Sequence, residues 1–143
     1  MTRVRDEIAR EECYDVKFAK LTFLIAGIYG LLALVPLYFM EQQTGRDYPP
    51  PITHPEYYYG FIGVAVAWQL AFIVMSRDVA RFRPLMPVAV VEKASFFIPA
   101  VLLYAQHRLS TFMLGAGIVD GVLGVLFLIS YLKTSGGISW KTV

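Results

Sequence analysis

LTFLIAGIYGLLALVPLYFM, residues 21–40, runs for twenty residues without one Asp, Glu, Lys or Arg. At about 1.5 Å of rise per residue, such a run forms a helix about 30 Å long, the thickness of a bilayer's hydrocarbon core. Three further blocks of similar length follow: Tyr58–Met75, Leu85–Tyr104 and Phe112–Leu132. Across the 143 residues the apolar share is 57% and the charged share 17%, against roughly 45–50% and about 25% in soluble domains. A soluble domain this small has too much surface to cover for that balance. The reading is an all-α membrane protein, a single domain folded as a left-handed, up-down bundle of four transmembrane helices. Residues 21–40 follow some twenty mostly polar residues and exceed the roughly 7–15 apolar residues of a signal sequence, so a retained span is expected.

The basic residues give the orientation. Arg3, Arg5, Arg10, Lys17 and Lys20 precede the first block, Arg77, Arg81 and Arg83 lie between the second and third, and Lys133 and Lys141 follow the fourth. Only Arg46 and Arg108 fall in the other connections, and Lys93 lies within the third block. Basic residues near span ends stay cytoplasmic. The expected layout is therefore a cytoplasmic arm (1–20), spans at 21–40, 58–75, 85–104 and 112–132, outer connections at 41–57 and 105–111, an inner connection at 76–84 and a cytoplasmic tail (133–143). The location is the cell membrane, with both termini inside. The formal net charge of +2 conceals this asymmetry. As membrane anchors these clusters require no nucleic acid partner.

The arm, TRVRDEIAREECYDVKFAK, pairs opposite charges at helical spacing, Arg3 with Glu7 and Asp6 with Arg10. Val4, Ile8 and Val16 make a thin apolar side, so this amphipathic arm lies solvated with a frayed start, lies along the membrane surface or packs under the bundle. Cys13 is the single cysteine and has no disulfide partner in the chain. The first outer connection, EQQTGRDYPPPITHP, is expected to be irregular and extended about its three prolines. Thr53 and Glu56 have capping-box spacing before the second span. Tyr57, Tyr58, Tyr59 and Phe61 then form an interfacial aromatic belt or a docking surface. Pro84 and Pro87 suit the first turn of span three, whereas Pro99 lies deeper and should kink it.

Ionisable groups within a span cost about 2.5–3.5 kcal/mol on insertion scales and normally face the protein interior. Here they are Glu92, Lys93 and Asp120. Gly117, Asp120, Gly121 and Gly124 share one helical face, and small residues there allow close helix approach. Counting from the outer ends, Asp120 lies roughly 12 Å deep, Ser95 roughly 13–14 Å, Trp68 roughly 15 Å and Glu92 roughly 18 Å. The candidate binding residues are thus Trp68, Glu92, Ser95 and Asp120, either as a largely neutral hydrogen-bonded knot or as a polar pocket for a small molecule. Trp68 would offer an aromatic wall to a cation. Lys93 either snorkels to the cytoplasmic interface or reaches an acid on a neighbouring helix. Gly60, Gly63, Ala67 and Ala71 form a small-residue face on span two. If that face packs inward, Gln69 points out towards another subunit; local bonding or a rotated helix is the alternative.

No metal or cofactor is expected. His54 and His107 lack a third ligand, and no phosphate-binding glycine loop, nucleophile elbow or H-E-x-x-H motif is present. The stretches RFRPLMPVAVVEK (81–93) and DGVLGVLFLISYL (120–132), with the four-span layout, resemble the small bacterial four-helix membrane proteins called DoxX-like. That resemblance implies a fold more than an activity. A more distant likeness, in chemistry alone, is to the EXPERA ligand-binding and sterol-isomerase fold, and no catalytic residue is carried over from it. Three functions are compatible with these residues: small-molecule or lipid binding in an intramembrane pocket, service as an accessory subunit of a larger membrane complex, or isomerase-like catalysis, the least expected. The corresponding partners are membrane lipids, other membrane subunits or a second copy of the chain.

Overall fold

The computed structural model describes residues 2–134, and for residues 2–6, 8 and 9 the backbone alone. The expected Arg3–Glu7 and Asp6–Arg10 pairs and the placing of Val4 and Ile8 fall outside the described side chains. The tail from residue 135 onward lies outside the described residues.

Every described element is helical: α1 (Thr2–Leu34), a 3-10 turn (Val35–Phe39), α2 (Glu41–Asp47), α3 (Pro55–Arg77), a second 3-10 turn (Arg83–Leu85), α4 (Met86–Ala105) and α5 (Thr111–Lys133). Four stretches, Arg10–Phe39, Pro55–Arg77, Arg83–Ala105 and Thr111–Lys133, are long and apolar enough to cross a membrane. The arm and the first apolar block form one continuous helix, with no break at residue 20. That helix tightens to a 3-10 turn at Pro36, whose missing N–H cannot bond the carbonyl four residues back. Pro87 sits in the first turn of α4, where an N–H would have no helical acceptor. Pro99 is carried inside the same helix, which continues past it to Ala105.

Two expectations at the first outer connection need correction. Residues 41–47 are helical, not irregular. The prolines begin only at Pro49, and the segment before them is stitched by Gln43 Nε2 to the Asp47 carboxylate (2.8 Å) and Arg46 Nη2 to Gln43 Oε1 (3.0 Å). Glu41 in its first turn and Arg46 in its last also match the helix dipole. α3 starts at Pro55, one residue later than a Thr53 cap implies, and Glu56 accepts His54 Nδ1 at 3.1 Å.

The chain divides into two compact units, Phe23–Val74 and Met1–Thr22 with Met75–Val143. Within the first, the later part of α1 and α3 form an antiparallel hairpin. Phe23 meets Phe72 with ring centroids 6.0 Å apart, Gly27 faces Gln69 and Ile73, and Tyr58 Oη donates to the Leu37 carbonyl at 2.8 Å. α2 is held on this hairpin by Tyr59 Oη donating to Glu41 Oε2 (2.8 Å) and by the Thr44–Tyr58 hydroxyl pair (3.3 Å). The tyrosine cluster therefore has internal work as a cap on its own unit. Tyr57, exposed beside the His54 ring, is the member left facing out.

In the other unit α4 and α5 pair antiparallel. A Cβ added at Gly117 would lie 2.7 Å from Ala100 Cβ, one at Gly121 would lie 2.8 Å from the Phe97 ring, and one at Gly124 would lie 3.3 Å from Lys93 Cβ. The glycine face of α5 is thus what lets α4 approach. The turn joining them is closed by Arg108 N–H to the Leu103 carbonyl and His107 N–H to the Tyr104 carbonyl, both 2.9 Å. His107 takes the left-handed conformation there (φ 57°), the backbone state that such a helix stop requires. Ser110 then caps α5 by accepting Met113 N–H. Lys133 in the last turn of α5 donates to Asp15 of the arm at 3.0 Å, so the arm is packed from Asp15 onward while residues 10–14 are exposed.

Candidate functional site

The charged residues of α4 and α5 converge. Lys93 emerges where its Cβ lies beside Gly124, and its stem runs one helical turn along α5 to place Nζ 3.1 Å from Asp120 Oδ1. A Cβ at position 124 would crowd that path at 3.3 Å from Lys93 Cβ, and glycine removes the crowding. Glu92 lies next to Lys93 in sequence, and neighbouring helical residues do not normally face each other. Its carboxylate nevertheless turns back to bring Oε2 within 3.3 Å of the same ammonium. That distance is within ion-pair reach but lacks hydrogen-bond geometry, and Glu92 Oε2 is a buried oxygen with no hydrogen-bond donor.

One ammonium therefore faces two carboxylates, a formal charge of −1 if all three are ionised. The burial is uneven. The Lys93 side chain is 5% exposed, whereas those of Glu92 and Asp120 are 17% and 21% exposed. The cation is sealed between the helices, and the two acidic side chains keep partial exposure although Glu92 Oε2 itself is buried. Such an arrangement can accept a positively charged group or hydrogen-bond donors.

Of the four residues expected in the site, Glu92 and Asp120 are brought together. Ser95 is not joined to them through its side chain: it is exposed, and its hydroxyl donates to the Glu92 main-chain carbonyl at 2.6 Å. A serine one turn after a carbonyl bonds back to its own helix more readily than across it. Trp68 is half-buried on α3, with its ring 5.9 Å from that of Phe72. Lys93 takes the neighbouring acid rather than snorkelling, which makes it the centre of the cluster.

Gln69 reverses the outward orientation. It is 2% exposed, and its Nε2 donates to the Ala65 carbonyl at 3.1 Å. Any Cβ at Gly30 would collide with the Gln69 amide. The expected small-residue face of span two is the more open one, with Gly60 and Ala67 exposed, Gly63 and Ala71 half-buried, and Ile62, Gln69 and Phe72 buried. The reason lies on α1. Gly27 and Gly30, one helical turn apart, provide the small side of this contact, so α3 supplies the large side. Gly-x-x-Gly within residues 21–40 was the available signal for it.

Comparison with protein-family models, with curated proteins and with solved structures returns no match to this chain.

Proposed function

We propose that this chain is a multi-pass protein of the cell membrane, with both termini cytoplasmic, whose Glu92–Lys93–Asp120 cluster binds a small molecule or lipid bearing a positive charge. The insertion rests on the four long apolar helices, and the sidedness on the uneven distribution of Lys and Arg. The DoxX-like layout is consistent with this architecture and adds no chemistry. The observation that carries the binding function is the mismatch at Lys93: two carboxylates share one buried ammonium, and Glu92 Oε2 is buried without a donor. Ionisable groups in a membrane interior mark functional sites by default because their burial is costly.

Service as an accessory subunit is the second reading. It drew on Gln69 as a group reaching towards a neighbouring subunit. With that amide turned onto Gly30, the remaining support is the exposed Gly60–Ala67 face alone. Isomerase-like catalysis at Glu92 or Asp120 is the third, and requires turnover that Glu92→Gln abolishes while the fold persists.

The deciding experiment is purification in mild detergent from the native source, with mass spectrometry of everything retained. An organic molecule or lipid present in stoichiometric amount, and lost in Glu92→Gln or Asp120→Asn, supports the binding function. A fixed set of other membrane proteins in its place transfers the case to the accessory subunit.

A further inference from the structure

Three arginines, Arg77, Arg81 and Arg83, precede α4, and the one acid among them, Asp78, accepts the Arg81 main-chain N–H at 3.1 Å. Among the described residues, no carboxylate lies within ion-pair distance of Arg77, Arg81 or Arg83, whereas Lys133 close by has Asp15 at 3.0 Å. Arg83 is the most fixed of the three. Its guanidinium carbon stands 4.1 Å from the centre of the Tyr131 ring, and Nη2 reaches the Tyr131 carbonyl at 3.4 Å. Its Nε is buried without an acceptor. A guanidinium has five N–H donors in a planar fork, and one long bond to a helix-terminal carbonyl leaves most of them unused.

Its surroundings suit an amphiphile. Leu85 in the second 3-10 turn, Val88 on α4 and Leu128 on α5 are exposed apolar side chains near the end of the pair where α4 begins and α5 ends, and Arg81 is exposed beside its own Phe82 ring at 5.7 Å. A cation fixed on an aromatic face, two residues from a second, exposed arginine and followed by apolar surface, matches a phosphate headgroup above acyl chains. Arg is suited to that role because its fork pairs with phosphate oxygens two at a time.

We propose that Arg83, seated on Tyr131 and preceded in the same connection by Arg77 and Arg81, binds the phosphate of an anionic phospholipid at the cytoplasmic face. This rests on the membrane insertion and orientation given above, but not on any ligand at Glu92 and Asp120. Arg83 fixes the headgroup, and the two exposed arginines add long-range attraction to an anionic leaflet.

The test is native mass spectrometry of the full chain in detergent micelles doped with phosphatidylglycerol or with phosphatidylcholine. Phosphatidylglycerol should stay bound preferentially to the wild type, and its retention should fall about fivefold in Arg83→Gln, the share one basic residue contributes at an anionic surface. Arg83→Lys keeps the stem and the charge but loses the fork. Retention should fall in that variant too, and it serves if Arg83→Gln does not fold. Arg108→Gln, in the other connection, should retain the lipid as the wild type does. Retention unchanged in Arg83→Lys, equal retention of the two lipids, or displacement by millimolar inorganic phosphate would each overturn the assignment, the last by making this a free-phosphate site. A molecule held by Glu92 and Asp120 is a separate mass that Arg83→Gln leaves in place, so the two readings fail independently.

Discussion

At the scale of single residues, Lys93 decides how the α4–α5 pair behaves. Its ammonium is sealed while its two carboxylate partners are not, so deleting Asp120 leaves a buried cation with one poorly aligned acid. Breaking a buried ion pair from one side costs about 3–5 kcal/mol, because the remaining charge stays desolvated. Asp120→Leu should therefore lower stability by about 3 kcal/mol. Lys93→Met in the same chain should recover much of that loss. A double-mutant cycle followed by denaturation in detergent measures the coupling, and additive losses would mean that the two side chains do not depend on each other. Part of this site was legible beforehand. The spacing of Gly117, Asp120, Gly121 and Gly124 puts the acid on the packed face of its helix, and so it is found. The choice of Lys93 between snorkelling and pairing was not legible. It depends on the open path past Gly124, a property of two helices together.

The elements are matched through glycines. In the α1–α3 hairpin, a Cβ at Gly27 would stand 2.8 Å from the Gln69 carbonyl oxygen and 2.7 Å from Ile73 Cγ1, so backbone as well as side chain blocks it. At Gly30 the three nearest atoms all belong to the flexible Gln69 side chain. Gly27→Ala should thus separate the helices and destabilise the protein by about 1–3 kcal/mol, the usual cost of overpacking. Gly30→Ala should be rescued when Gln69 is shortened to Ala, while Gly27→Ala should not. Thermal unfolding of the single and paired variants checks this, and equal rescue at both positions would contradict the contact geometry. Helix positions could be read in part from the apolar blocks: the second, third and fourth end within three residues of α3, α4 and α5, whereas α1 begins at Thr2, far ahead of the first block. Rotation about the helix axis was harder. A small-residue face predicts close packing by something, but α3 has such a face exposed because α1 brings glycines of its own. The helical turn at Glu41–Asp47 was masked by the nearby prolines, whose reach stops short of it.

For the molecule as a whole, the apolar blocks foretold four helices of membrane-spanning length, and the continuity of the arm with the first of them is the main revision. Charge asymmetry carries the proposed orientation, and Cys13 offers a direct probe of it. It is the one cysteine in the chain and is exposed on the arm. A membrane-impermeant maleimide should leave it unmodified in intact cells and label it in inverted vesicles, and labelling of intact cells would reverse the orientation. The central claim is that the Glu92–Lys93–Asp120 cluster holds a ligand rather than only joining two helices. Its most direct test pairs two readings on one sample, bound small molecules by mass spectrometry and thermal stability, for the wild type and Glu92→Gln. Glu92 contributes the poorly aligned half of the cluster, so the account predicts a bound molecule in the wild type, its loss in the variant, and stability changed by no more than about 1 kcal/mol. A wild-type protein that carries nothing, or a variant that keeps its molecule, would contradict the claim and leave the cluster as a structural joint.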